Sequence, residues 1–178
     1  TLLPLAAELK RDLMFEASVG GGIPIVRPMK SCLAGNEILE VKGIVNGTTN
    51  YILTRMTLEG LSYCDVLPDA QAKGYAELDP SADVQGHDAA YKIAILASIA
   101  FTSRVDVTAV YREGITSITS EDMQYARELG YVIKLLAVAK LVDDSMLVRV
   151  HPAFIPRLHP LANVNGVFNG IYVRGDAV

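Results

Sequence analysis

"YVIKLLAVAKLVDDSMLVRVHPAF", residues 131–154, decides the fold. Two stretches rich in Val, Leu and Ile, residues 131–142 and 146–154, flank Asp143 and Asp144, an acidic pair that marks the turn of a hairpin. A further strand is predicted over residues 166–174. Upstream, Ser120 is predicted to cap a helix that Gly130 ends, and a longer helix is predicted over residues 86–102. Ser62 and Asp65 have the spacing of a capping box for a helix to Lys73, stopped by Gly74. Asp79 and Pro80 open a short helical turn. "NGTTNYILTRMTLEG", residues 46–60, is a turn followed by a helix, and before it residues 37–46 alternate Ile38, Glu40, Lys42, Ile44 against Leu39, Val41, Val45, as a strand does. Nearest the start are a helix over residues 5–13, a strand at "MFEASV", and a helix opened by Pro24 and closed by Gly35. Helices cluster early and strands late, without βαβ alternation or repeats. This predicts an α+β fold, with helices packed on one face of a mixed, largely antiparallel sheet.

With 178 residues, 51% of them hydrophobic, the chain is long enough for one core and one domain, residues 1–178. A net charge of -4, without a stripe of Lys and Arg, argues against nucleic-acid binding. Cys32 and Cys64 lack metal or redox spacing and are expected to be inert packing thiols in a reduced, cytoplasmic protein. The longest apolar run, residues 93–101, is broken by Ser98 and falls far short of the roughly 20 residues of a membrane span. The first residues lack Met and any signal-peptide pattern, and the last ones read as an interrupted strand. The expectation is a fragment of a larger chain.

"KGYAELDPSADVQGHDAAYKIAILASIAF", residues 73–101, sets Glu77, Asp79, Asp83, Asp88 and Lys92 before and inside a helix that is apolar on every side from Ile93 onward. A helix of that composition is usually buried. Asp88 and Lys92 stand four apart, in the order that suits an ordinary exposed ion pair. At a helix lining a cavity, the same lysine beside carboxylates can donate a proton to a carbonyl oxygen. Gly47, Thr48, Thr49 and Asn50 stand at a helix start, where free N–H groups and hydroxyls can receive a carboxylate, although capping alone explains them. "SVGGGIPI" fails the dinucleotide fingerprint because Ile25 stands where glycine is needed. A tight turn, or a turn whose carbonyls ligate a hard cation near Glu16, are the readings left. His87, His151 and His159 form no zinc-type pair.

Four stretches, "FEASVGGGIPIV", "EVKGIVNGTTNYILTRM", "AQAKGYAELDPSADVQGHDAAYKIAILA" and "HPAFIPRLHPLANVNGVFNGIYVRGDAV", resemble in this order the catalytic and dimerisation region of homoserine dehydrogenases. The resemblance implies an NAD(P)-dependent oxidoreductase that interconverts L-homoserine and L-aspartate 4-semialdehyde, on the route to threonine, isoleucine and methionine. It implies that Lys92 transfers the proton, with Asp88 beside it. Glu77 would bind homoserine; Gly47, Thr48, Tyr75 and Asp83 would line its pocket. Oxygens of Glu16, Val19, Gly21 and Ile23, mainly from the main chain, would hold a sodium ion. A homodimer or higher homo-oligomer is also implied. The family's dinucleotide domain has no counterpart in these residues, so most of the cofactor site would lie elsewhere and the isolated chain would be inactive. Two rivals are a dimerisation module without chemistry and the catalytic domain of another amino-acid semialdehyde dehydrogenase.

Overall fold

Strand β3, Tyr131–Val142, is the centre of the sheet, because residues 133–139 are buried without a break. A strand buried on both faces needs cover on both. Ile133, Leu135, Ala137 and Ala139 join the larger core, whereas Leu136 and Val138 point the other way into a smaller cluster with Ile44, Ile155 and Leu161. The structure, a computed structural model, describes residues 2–143 and 145–177. Asp143 turns the hairpin with a left-handed φ of 43°. The other half of the expected turn, Asp144, lies outside the described residues.

β1 (Ile38–Ile44), β2 (Tyr111–Arg112), β4 (Ser145–Pro156) and β5 (Gly170–Gly175) complete a sheet of order β2-β4-β3-β1-β5. All neighbours are antiparallel except β2 with β4. The helices are α1 (Leu2–Glu8), α2 (Gly47–Glu59), α3 (Tyr63–Ala72), α4 (Ser81–Val84), α5 (His87–Ala100) and α6 (Ser120–Glu128). The side chains of α2, α5 and α6 pack with the larger core on one face. A short turn, Pro160–Asn163, covers part of the other. The fold is therefore the expected α+β arrangement. Ile93 and Leu96 of α5 are fully buried, and each such side chain contributes about 1.5–3 kcal/mol by leaving water.

Several expectations are corrected. "MFEASV" is no strand: Glu16–Ser18 is a 3-10 turn, and the Glu16 carboxylate folds back to accept N–H bonds from Ile25, Val26 and Arg27. The helix after Pro24 closes as a π-helical turn, Pro28–Cys32, in which the Leu33 N–H donates to the Pro28 carbonyl at 2.9 Å. The first helix ends at Glu8 rather than at residue 13, and Lys10 takes a left-handed φ of 51°. Thr119, not Ser120, caps α6, in a capping box with Asp122. β5 begins at Gly170 rather than Gly166. Cys32 and Cys64 are exposed, so neither is a packing thiol.

Candidate active site

Asn46 ends the run of β1 and starts α2. Its Oδ1 accepts from the Thr49 N–H and hydroxyl, both at 2.9 Å, which caps the helix. Its amide nitrogen turns the other way and donates to Asp83 Oδ1 at 2.6 Å and Asp88 Oδ2 at 2.9 Å. Two carboxylates that would repel each other are thus bridged by one NH2 group. Asp88 sits in the first turn of α5, where the helix dipole favours negative charge. Lys92, one turn on, donates to Asp88 Oδ2 at 2.7 Å and to the Val45 carbonyl at 3.0 Å. Lys92 and Asp88 are 24% and 33% exposed, a pair fixed in place and still open to a small molecule.

Two helix starts converge here. The main-chain N–H groups of Gly47 and Thr48 find no acceptor among the described residues, while the Thr48 hydroxyl donates to the Tyr75 carbonyl at 2.6 Å. The Tyr75 ring packs at 4.9 Å from that of Tyr51. Behind Tyr51, its hydroxyl, Arg55 and Lys73 all donate to Asp69 Oδ2, and the hydrogen bonds from Tyr51 and Lys73 hold the Asp69 pKa down to about 2. This cluster joins α2 to α3 and sets the wall that carries Tyr75. The opposite corner is held by glycines. A Cβ on Gly114 would stand 2.2 Å from the Val84 carbonyl, and one on Gly86, which opens α5 at φ 79°, would stand 3.2 Å from Val150.

The structure therefore brings Lys92, Asp88, Asp83, Gly47, Thr48 and Tyr75 to one place. Glu77 is exposed, and its carboxylate makes no hydrogen bond or ion pair among the described residues. Only its carbonyl is held, by the Gln71 amide at 3.0 Å. Asn46 was missed by sequence reasoning, although its place before a helix start marks it as a cap. At the glycine turn, Gly20 and Gly21 take φ of 76° and 59°. Partial desolvation raises the Glu16 pKa, but the three N–H bonds outweigh it and hold the carboxylate below its ordinary value. With its side chain so engaged, Glu16 has its main-chain oxygen left to offer a cation. The carbonyls of Val19, Gly21 and Ile23 accept no hydrogen bond among the described residues.

The homoserine dehydrogenase family model matches residues 24–178. A homoserine dehydrogenase of Synechocystis sp. is 56% identical over 168 residues, which are 92% of this chain and 39% of that protein. One of Mycobacterium tuberculosis is 53% identical over 171 residues, 93% of this chain and 39% of the relative. Among solved structures, a homoserine dehydrogenase from Thiobacillus denitrificans superposes with a TM-score of 0.97 at 45% identity, covering 99% of this chain and 41% of that one. One from S. aureus gives 0.87 at 38% identity, covering 99% and 41%. The chain spans about two fifths of the length of the curated relatives it matches. On the extent of the family match, the identity of these relatives and the shared fold, the chain belongs to the homoserine dehydrogenase family.

Proposed function

We propose that the chain is the substrate-binding and catalytic unit of a cytoplasmic, NAD(P)-dependent homoserine dehydrogenase that interconverts L-homoserine and L-aspartate 4-semialdehyde in threonine, isoleucine and methionine biosynthesis. The observation that carries this reading is the Lys92 ammonium, clamped between Asp88 and the Val45 carbonyl at the meeting of two helix starts. In that place Lys92 gives its proton to the aldehyde oxygen and takes one from the alcohol in reverse. Asp88 and Glu77 hold the substrate ammonium. The free N–H groups of Gly47 and Thr48 receive its carboxylate. Tyr75 and Asp83 line the pocket, and Asn46 keeps Asp83 and Asp88 from moving apart.

The glycine turn at Gly20–Gly22 does not fit a dinucleotide. The one glycine-rich turn, Gly20–Gly22, leads to N–H groups that Glu16 already occupies, so a pyrophosphate finds no donors there. NAD(P) would supply or accept the hydride in the complete enzyme, and its cradle would lie outside the residues described. A sodium ion fits better: the unengaged carbonyls of Val19, Gly21 and Ile23, with that of Glu16, are the hard oxygen ligands such a cation takes. Its part would be to stiffen the turn that leads to the pocket.

The test is a substrate profile of the full-length protein with its Lys92→Ala variant. L-homoserine should be oxidised in preference to other amino alcohols, and the variant should lose about 10²-fold or more in kcat, the scale of a missing general acid. A variant with near-normal turnover would reduce the pair to a structural contact, and a preference for another substrate would move the chain to a different reaction.

A further inference from the structure

Lys134 takes no part in the chemistry above. It lies near the start of β3 and is 2% exposed, and a lysine that buried ordinarily has a carboxylate beside it. Here its partners are neutral. The ammonium donates to the Val164 carbonyl at 2.7 Å and to the Asn50 and Asn165 side-chain oxygens at 3.0 Å each, with the Thr54 hydroxyl at 3.5 Å. Desolvation without a counter-charge pushes its pKa down to about 8. A cation held at that cost must satisfy oxygens that would otherwise be orphaned.

Two of those oxygens, on Asn50 and Thr54, belong to α2, and the other two, on Val164 and Asn165, to one short piece of chain before β5. Asn50, 1% exposed, also donates to the Val164 carbonyl at 3.1 Å and the Phe168 carbonyl at 2.9 Å. The Thr54 hydroxyl accepts the Gly166 N–H at 3.1 Å. Lys134, Asn50 and Thr54 therefore fasten residues 164–168 onto α2, in place of the sheet pairing that begins only at Gly170. The fastened segment crosses the first turn of α2 so closely that a Cβ on Gly47 would stand 2.8 Å from the Val167 carbonyl. Val167, 38% exposed, is thereby set against the first turn of α2, where the N–H groups of Gly47 and Thr48 are free, and Phe168, 72% exposed, follows it with its carbonyl held by Asn50.

We infer that Lys134 is a positioning residue, which pins residues 164–168 over the start of α2 so that Val167 and Phe168 form a wall of the substrate pocket. The inference rests on the proposed function. A lysine suits this position because one ammonium offers three N–H groups, enough to tie Val164 and Asn165 of the segment to Asn50 of α2. The wall acts on the carboxylate end of the substrate, not on the reacting carbon. Its loss should appear in KM and leave proton transfer at Lys92 nearly intact.

The experiment compares full-length wild type with Lys134→Met and Thr54→Val, by amide hydrogen exchange and homoserine kinetics. The expected result is faster exchange at Gly166, Val167 and Phe168 with the amides of β1 and β3 unchanged. Homoserine KM should rise roughly tenfold in Lys134→Met and two- to fourfold in Thr54→Val, with kcat held within about threefold. Unchanged exchange, faster exchange without a change in KM, or a fall in kcat at constant KM would each overturn the inference. Thr54→Val removes only a hydroxyl, so it decides the matter if Lys134→Met fails to fold. A wild-type protein inactive on homoserine would sink the proposed function instead, and the exchange arm would still decide whether Lys134 holds the segment.

Discussion

The amide of Asn46 faces Asp83 and Asp88 with its NH2 group and the first turn of α2 with its oxygen. Asn46→Asp turns two donors into acceptors and sets three carboxylates together, which favours protonation of one of them and loosens Asp88 from Lys92. It should lower homoserine kcat/KM by about 10²-fold or more, measured against Asn46→Ser, which keeps a cap on α2. If the two variants behave alike, only the cap matters. Lys134 carries a prediction of its own. Its pKa is about 8 in the folded chain against 10.5 unfolded, so below pH 8 both states hold the proton and the burial cost is felt in full. Between those values the unfolded state binds more protons, and stability rises with pH, by up to about 3 kcal/mol. Denaturant unfolding at pH 7.5 and 10 should show this rise in the wild type and lose it in Lys134→Met. The Asp88 and Lys92 pair was legible in the sequence because i, i+4 spacing on a helix fixes a contact. Asn46 was not, since its carboxylate partners stand 37 and 42 residues away.

Elements with strong periodicity or a cap were read nearly to the residue. β3 matches its predicted bounds, and the Ser62 and Asp65 box starts α3 as its spacing requires. The larger failures share one cause, a tertiary contact that outweighs local preference. "MFEASV" has the composition of a strand but no strand to pair with, and the Glu16 carboxylate is drawn to the N–H groups of residues 25–27. The segment before β5 is claimed by Lys134, Asn50 and Thr54. β2 is only two residues long and exists because β4 offers it an edge, which no pattern in its own sequence reports. The corner between α4 and α5, which carries Asp83 and Asp88, depends on a backbone approach that only glycine permits. Gly114→Ala forces the Val84 carbonyl away and should cost about 1–3 kcal/mol, as overpacking does. The same change should raise homoserine KM in the full-length protein. A Tm and a KM that both stay at wild-type values would show that the corner yields freely.

At the scale of the molecule, the two faces of the sheet are unequal. One is closed by α2, α5 and α6, while the other keeps a trough of about 320 Å³ whose floor includes Leu136, Val138, Ala153 and Ile155. Val142, Leu147 and Phe154, at its edges, are 42%, 38% and 56% exposed, and Lys42, Lys140 and Arg149 ring them. An exposed apolar strip suits a symmetric partner, because a second copy brings the same strip to cover it. The chain as it stands should therefore fold on its larger core, dimerise through this face, and show no dehydrogenase activity. Inactivity is expected on geometry: hydride transfer needs the reacting atoms about 3–3.5 Å apart, and the nicotinamide cradle is proposed to lie outside the described residues. Light scattering on the purified chain should give twice the chain mass, and Leu147→Glu, which places a charge in the trough, should give single chains with the fold retained. Wild-type single chains would remove the proposed interface. Turnover of homoserine with NAD(P) by these 178 residues alone would show that the cofactor is held by groups the geometry gives no sign of.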